Sequence, residues 1–484
     1  MGDAARLGVL AEEHAVTNAY DEIAYAAGPF PQTHPDRLAA QAALFGLAPA
    51  PAERCRVLEI GAGDGSNLIP MAVGRPHAEF VGFDLAADPV ARGCELSRAL
   101  GLENLRLFQA DIAGVDLGQA PFDFIIAQGI YSWVPDEVRE AMMRLVGRLL
   151  APRGVAFVSF NALPGSYVRL ALRQELLFAT REAAGRTARV EAARRRLEAW
   201  PAPSNVAGAF QRAVAEEAVR LRQRPFYALA HDELSDAFHA LFLTDFAAHA
   251  AAHGLSVLAD AEPAEFETWF APSADAAFDA VAQAQAADFA QGRHFRQILL
   301  VRSAAPISRR RSADAIARLH AASLMRRAGP GRFEAPGGAG VEVTDPTIEA
   351  ILEHLAAIWP STAPVSALVE DEPRRLALLG LYGLKALDLL AAPAELALGD
   401  RPTASPLARL QARSGATRLT TLRHTMVDVD DEFSRGFVAS LDGSRTRAEI
   451  ARDVAGRFNL TPEAAMAPLG VLLDVLARAP LLIA

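Results

Sequence analysis

Lysine is nearly missing from this chain. Of its 48 basic side chains only Lys385 is a lysine, the other 47 being arginine. With so much alanine beside it, the skew reads as base bias of the genome rather than function. Positive charge is also in the minority, 48 bases against 58 acids for a net charge of -10, which argues against a general nucleic-acid binder. Cysteine is almost as scarce. Cys55 and Cys94 are the only two and form no CxxC pair, so neither a disulfide framework nor a thiolate metal site is expected, and no metal is assigned. No window approaches 18 uncharged apolar residues, and the opening Met1-Gly2-Asp3-Ala4-Ala5-Arg6 lacks a basic-then-apolar leader. The expectation is a soluble, unsecreted, cytoplasmic protein without a transmembrane segment.

What is present is length and core-forming material. The chain has 484 residues, against roughly 150 for a typical domain, so two to four domains are expected. Hydrophobic residues make up 51% and charged residues 22%, an ordinary globular composition.

Arg56-Val57-Leu58-Glu59-Ile60 reads as a buried strand running into Gly61-Ala62-Gly63-Asp64-Gly65, with a helix starting after Ser66-Asn67. Glycines at alternate positions permit a tight turn and a close approach of backbone to ligand, and helix N-terminal amides then face the crevice beyond the strand. A second strand, Glu79 to Phe83, ends in Asp84, roughly 20 residues past the glycines, where a carboxylate can accept both ribose hydroxyls. A third, Leu105 to Ala110, ends at Asp111, placed to accept from an adenine amino group. A fourth, Phe122 to Ala127, is almost continuously apolar, as suits a central parallel strand. The spacing is GxGxG rather than the GxGxxG of a pyrophosphate site, and Glu59 stands just before it. A carboxylate there suits a sulfonium amino acid better than a diphosphate.

At Glu59, Gly61, Gly63, Gly65, Asp84 and Asp111 the series resembles the class I S-adenosylmethionine-dependent methyltransferases. The resemblance implies S-adenosyl-L-methionine as cofactor, held by Tyr20, Glu59, Gly61, Ala62, Gly63, Asp84, Leu85, Asp111, Ile112 and Gln128. It also implies a seven-stranded, Rossmann-like α/β sheet whose last two strands form an antiparallel pair. Val155 to Phe160 makes a fifth strand; the next candidates, Leu255 to Asp260 and Gln297 to Arg302, follow only after a helix-like stretch. The expected layout is a methyltransferase core over 1–163, a helical insertion over 164–253 that covers the site or mediates dimerisation, and the last two core strands over 254–302. Two mainly α, winged-helix-like C-terminal domains follow, over 312–395 and 396–484. In the first of these, helices are expected around Ala313 to Ala328 and a hairpin over Phe333 to Val343. The runs Arg194-Arg195-Arg196 and Arg309-Arg310-Arg311 read as solvated, the second opening a linker.

After the fourth strand, Gln128-Gly129-Ile130-Tyr131-Ser132-Trp133 occupies the position that lines methyl transfer in class I enzymes. It lacks Asp/Asn-Pro-Pro-Tyr/Phe, which weakens a nucleobase substrate. Together with Pro29 to Leu38 and Asn161-Ala162-Leu163-Pro164-Gly165 it resembles methyltransferases carrying a methyltransferase regulatory domain, among them the rickettsial-type protein lysine methyltransferases that act on outer-membrane proteins. The resemblance implies a protein substrate, no nucleic-acid partner and a possible homodimer. Tyr131 and Trp133 would wall the acceptor pocket through cation–π contact, Gln128 and Asn161 would orient substrate or cofactor, and His34 would touch ligand or simply start a helix. The family pattern has histidine where Gln128 stands, and tyrosine and tryptophan where Phe160 and Ser166 stand. Those departures leave a small-molecule methyltransferase, or a non-catalytic cofactor-binding protein, as alternatives.

Overall fold

The computed structural model describes residues 19–25, 28–272, 278–395, 399–458 and 461–483. The start of the chain, Met1 to Arg6, and residues 396–398, at the boundary expected between the last two domains, lie outside them.

Seven strands form the main sheet: β1 (Arg56–Ile60), β2 (Glu79–Asp84), β3 (Leu105–Gln109), β4 (Phe122–Ala127), β5 (Leu150–Ala162), β6 (Leu255–Asp260) and β7 (Phe295–Arg302). Their spatial order is β3-β2-β1-β4-β5-β7-β6. All pairings are parallel except those of β7 with β5 and β6. An eighth, two-residue strand, Ala240–Leu241, pairs in parallel with the end of β5. Val57, Leu58, Phe124, Ile125 and Ile126 are fully buried because helices cover both faces, which explains the near-continuous apolar runs. Strand order reverses between β1 and β4, so the crevice at their C-terminal ends lies at the switch point.

Ahead of the sheet lie α1 (Ala19–Glu22) and α2 (Pro35–Leu44); within it lie α3 (Leu68–Gly74), α4 (Ala87–Ala99) and α5 (Asp136–Leu149). Between β5 and β6, helices α6 (Ser166–Ala179), α7 (Arg186–Glu198) and α8 (Ala209–Arg222) and a π-helical turn, Leu229–Glu233, form a unit. It has its own core around Leu172, Leu176, Val190, Leu197 and Leu221. The helix that follows, Leu243–Ala252, lies within the range read as insertion, yet Leu243, Phe246 and Ala250 pack into the core of the sheet.

Residues 312–395 share that core through Leu352, Leu355, Leu378 and Leu389. Arg37 of α2 reaches Asp388 with two hydrogen bonds of 2.8 Å. The helix expected to run from Ala313 to Ala328 stops at Ala317, and strands His320–Ala322 and Arg326–Gly329 replace the rest. The expected hairpin is present, Phe333 pairing with Val341. Arg309 is not solvated: its guanidinium lies 5.3 Å from the Phe45 ring and donates to the carbonyls of Val257 and Leu258. Residues 404–482 instead build a separate core around Leu419, Val438, Leu469, Leu473 and Leu481, from four helices and a hairpin, Arg418–Thr420 with Met426–Asp428.

Candidate active site

The turn after β1 needs its glycines. Gly61, Gly63 and Gly65 have φ of +70°, +53° and +72°, the left-handed region that other residues enter only with strain. A Cβ on Gly61 would sit 2.2 Å from Ile130 Cδ1. Asp84 braces this turn: the Gly63 N–H donates to its Oδ2 and the Ala86 N–H to its Oδ1, each at 2.9 Å. Burial raises the Asp84 pKa and these backbone bonds oppose the rise. Each carboxylate oxygen has two lone pairs, so a ligand hydroxyl still finds an acceptor. Leu85, next in sequence, is 57% exposed, an apolar surface beside the acid. Asp111 is exposed and accepts from the Ala113 N–H at 2.9 Å. Ile112 packs half-buried against the core, and Ala62 is buried in the turn.

Glu59 lies at the closed end. It is buried, and its Oε1 accepts from Asn67 Nδ2 at 2.8 Å. Its Oε2 is buried and has no protein partner among the described residues. Burial pushes this carboxyl up to about 8. Asn67 Oδ1 accepts from the Phe30 N–H at 2.9 Å and lies 2.7 Å from Nε2 of His424. His424 arrives from the hairpin of the C-terminal domain, itself with φ +60° and buried. His34 starts α2, its Nδ1 accepting from the Asp36 N–H at 3.3 Å, and its ring lies 5.3 Å from that of His424. Burial holds both imidazoles well below their ordinary pKa.

A second group of residues, gathered mostly at the C-terminal ends of β4 and β5, is assembled from distant segments. Gln128, half-buried after β4, has a buried Oε1 without a protein partner among the described residues. Tyr131 is 2% exposed, its hydroxyl 2.6 Å from Nδ1 of His249. Trp133 meets Phe238 edge-on at 5.1 Å, and the Arg169 guanidinium lies 5.3 Å from its ring centre. Asn161 is buried; its N–H donates to Ser132 Oγ at 2.7 Å and its Oδ1 accepts from Arg169 at 3.3 Å. Arg169 is anchored by Glu233 at 2.6 Å. Tyr20, 36% exposed, stacks on His231 with ring centres 4.2 Å apart. Burial and the neighbouring Asp232 and Asp84 raise its hydroxyl pKa. At two of the three positions that depart from the family pattern, Phe160 stacks on Phe246 at 4.4 Å and the Ser166 hydroxyl donates to the His294 carbonyl at 3.1 Å.

Glu59, the glycine turn and Asp84 therefore share one crevice, while Tyr131, Trp133 and Asn161 form a neighbouring cluster with the insertion. Asn67, His424, Arg169, Glu233 and His249 are contributors that sequence reasoning missed. Asn67 had a visible signal in its place at the helix start after the glycines, and Glu233 in the His231-Asp232-Glu233-Leu234 run shared with the resembled family.

A family model described as a methyltransferase domain matches residues 57–154, one described as a predicted methyltransferase regulatory domain matches 225–302, and one described as a PKMT C-terminal winged helix domain matches 400–460. The winged-helix match falls on the last of the expected domains. The uncharacterized protein RP789 of Rickettsia prowazekii is 31% identical over 305 residues, 62% of this chain and 55% of that protein. RP028 of the same organism is 35% identical over 159 residues, 33% of this chain and 64% of that protein. The chain thus spans between half and two thirds of the length of these two relatives. Among solved structures, PKMT2 from Rickettsia typhi superimposes with a TM-score of 0.81 at 22% identity, covering 95% of this chain and 100% of that one; its complex with AdoHcy gives 0.80. Models of a methyltransferase domain, a methyltransferase regulatory domain and a PKMT C-terminal winged helix domain thus match successive parts of the chain, and its fold is that of PKMT2 from Rickettsia typhi.

Proposed function

We propose that the protein transfers a methyl group from S-adenosylmethionine to an amine, the lysine side chain of another protein. The observation that carries the cofactor reading is the buried Glu59 Oε2 without a protein partner, at the end of a glycine turn that Asp84 braces. A buried, unpaired carboxylate oxygen is costly unless something cationic or N–H-bearing meets it. The ammonium of an amino-acid cofactor has that character. Glu59 would hold that end, Asp84 the ribose hydroxyls, and Leu85 and Ile112 the faces of the adenine, with Asp111 accepting from its amino group.

When bound, the cofactor supplies an electrophilic sulfonium methyl whose leaving group needs no acid. The chain's own work is then positioning, worth up to about 7 to 11 kcal/mol. A lysine acceptor must be neutral, and moving its pKa from about 10.4 to 7 takes about 4.6 kcal/mol, part of which desolvation supplies. Gln128 Oε1, buried and without a protein partner among the described residues, is suited to accept an amine N–H and so orient the lone pair. The chain's own lysine is a poor acceptor: Lys385 is exposed and paired with Glu262 at 2.6 Å. Incubating the full chain with labelled S-adenosylmethionine and a cell lysate should label protein at lysine. Label appearing only in small molecules would overturn the protein substrate, and no transfer at all would overturn the enzyme.

A further inference from the structure

Away from the glycine turn, α5 and the helix Leu243–Ala252 bring three side chains to one point. His249 lies on that helix and His253 caps its C-terminus one turn on, so the two imidazoles project from the same face. Glu140 of α5 faces them. His249 Nε2 lies 3.1 Å and His253 Nε2 3.2 Å from its Oε2. One ligand atom from each of the three fits within 4.8 Å of the others.

We propose that Glu140, His249 and His253 bind a divalent transition-metal cation of the zinc type. The donor set decides the class of ion. Two imidazole nitrogens and one carboxylate suit Zn²⁺, Co²⁺ or Ni²⁺, whereas Mg²⁺ and Ca²⁺ select oxygen ligands only. Spacing agrees: ligand atoms at 2.0–2.1 Å around a tetrahedral ion stand about 3.3 Å apart, close to the two nitrogen–oxygen separations here. Three protein ligands leave a fourth position for water, and access is present, since Glu140 is half exposed and a cavity of about 590 Å³ opens between Glu140, His249, His239 and Tyr131. The outer shell is also in place. A metal-binding histidine usually has its second nitrogen fixed by a hydrogen bond, and His249 Nδ1 lies 2.6 Å from the Tyr131 hydroxyl.

That last contact joins the ion to the methyl-transfer side of the crevice. With its proton on Nε2, His249 donates to Glu140 and accepts at Nδ1 from Tyr131. With an ion on Nε2 the ring proton resides on Nδ1 and donates to the Tyr131 oxygen, leaving the tyrosine O–H to find another acceptor.

The test uses the full chain, freed of any affinity tag and stripped with a chelator, titrated calorimetrically with ZnCl₂ and, as an optical probe, with CoCl₂. One ion per chain is expected, together with a zinc-dependent rise in melting temperature. His253→Ala and Glu140→Gln should each weaken binding at least about tenfold, while His239→Ala, which borders the cavity without being a ligand, should change it by less than about twofold. Glu140→Gln keeps side-chain size and hydrogen bonding, so its melting without metal separates lost binding from lost fold. Absence of saturable binding in the wild type, or equal binding by wild type and all three variants, overturns the site.

Discussion

Glu59, the three glycines, Asp84 and Asp111 sit at the ends of consecutive parallel strands, and Asp84 is held by backbone amides of the turn and its own loop. Tyr131, Trp133 and Asn161, in the second group, are held by side chains from the insertion and the helix before β6: Arg169, Glu233, Phe238 and His249. A wall made of backbone bonds keeps its shape under many substitutions, while one made of interlocked side chains depends on each of them. The glycine turn is thus suited to hold one fixed geometry, whereas single substitutions can reshape the side-chain wall.

The largest effect should come from the acceptor side. Glu233 is fully buried and paired with Arg169, and stripping one partner from a buried ion pair costs about 3–5 kcal/mol. Arg169→Met should lower stability by that order in chemical denaturation and reduce turnover, yet leave cofactor affinity in the surviving fold within about twofold. An equal loss of cofactor affinity would break the contrast between the two walls. Asp84→Ala should do the reverse. It removes one charge-assisted bond to the turn and one to its own loop as well as the hydroxyl acceptor, so cofactor affinity measured by calorimetry should fall at least about 100-fold; a fall below about fivefold would mean that the turn does not depend on its brace.

His424→Ala tests a long-range element on the cofactor side. Asn67 would lose its imidazole partner, and at about 1–1.5 kcal/mol for such a bond the cofactor Kd should rise about tenfold without a comparable change in kcat. The smallest effect concerns pH. The Glu59 carboxyl stands near 8 in the folded chain against an ordinary 4.5. Because its folded pKa is raised, its contribution to stability is complete below about 4.5 and is lost as pH rises through 8. A cationic ligand favours the ionised form, so cofactor affinity should climb as pH rises toward about 8 and then level. Glu59→Gln should flatten both curves, and an unchanged pH profile would place the cofactor's cationic end elsewhere.

The strands and the glycine turn could be read from the chain because each is local. The apolar run, the glycines and the closing acid are neighbours in sequence, and a parallel strand covered on both faces must be apolar throughout. The antiparallel closing pair was expected from the resemblance to seven-stranded class I methyltransferases, which showed that two strands still lay downstream. The strands His320–Ala322 and Arg326–Gly329 were hidden, since an alanine- and arginine-rich stretch has helix propensity that tertiary pairing overrides. Arg309 misled for a related reason: its charge suggested solvent, while its stem and plane pack between aromatic rings.

By itself the sequence determined the cofactor crevice, because strand, turn and helix there are set by residues only a few positions apart. Tertiary structure alone decided who completes it. His424 meets Asn67 across 357 positions and Tyr131 meets His249 across 118. No local pattern announces such contacts, since they exist only once the cores of the sheet, the insertion and the C-terminal domain have formed.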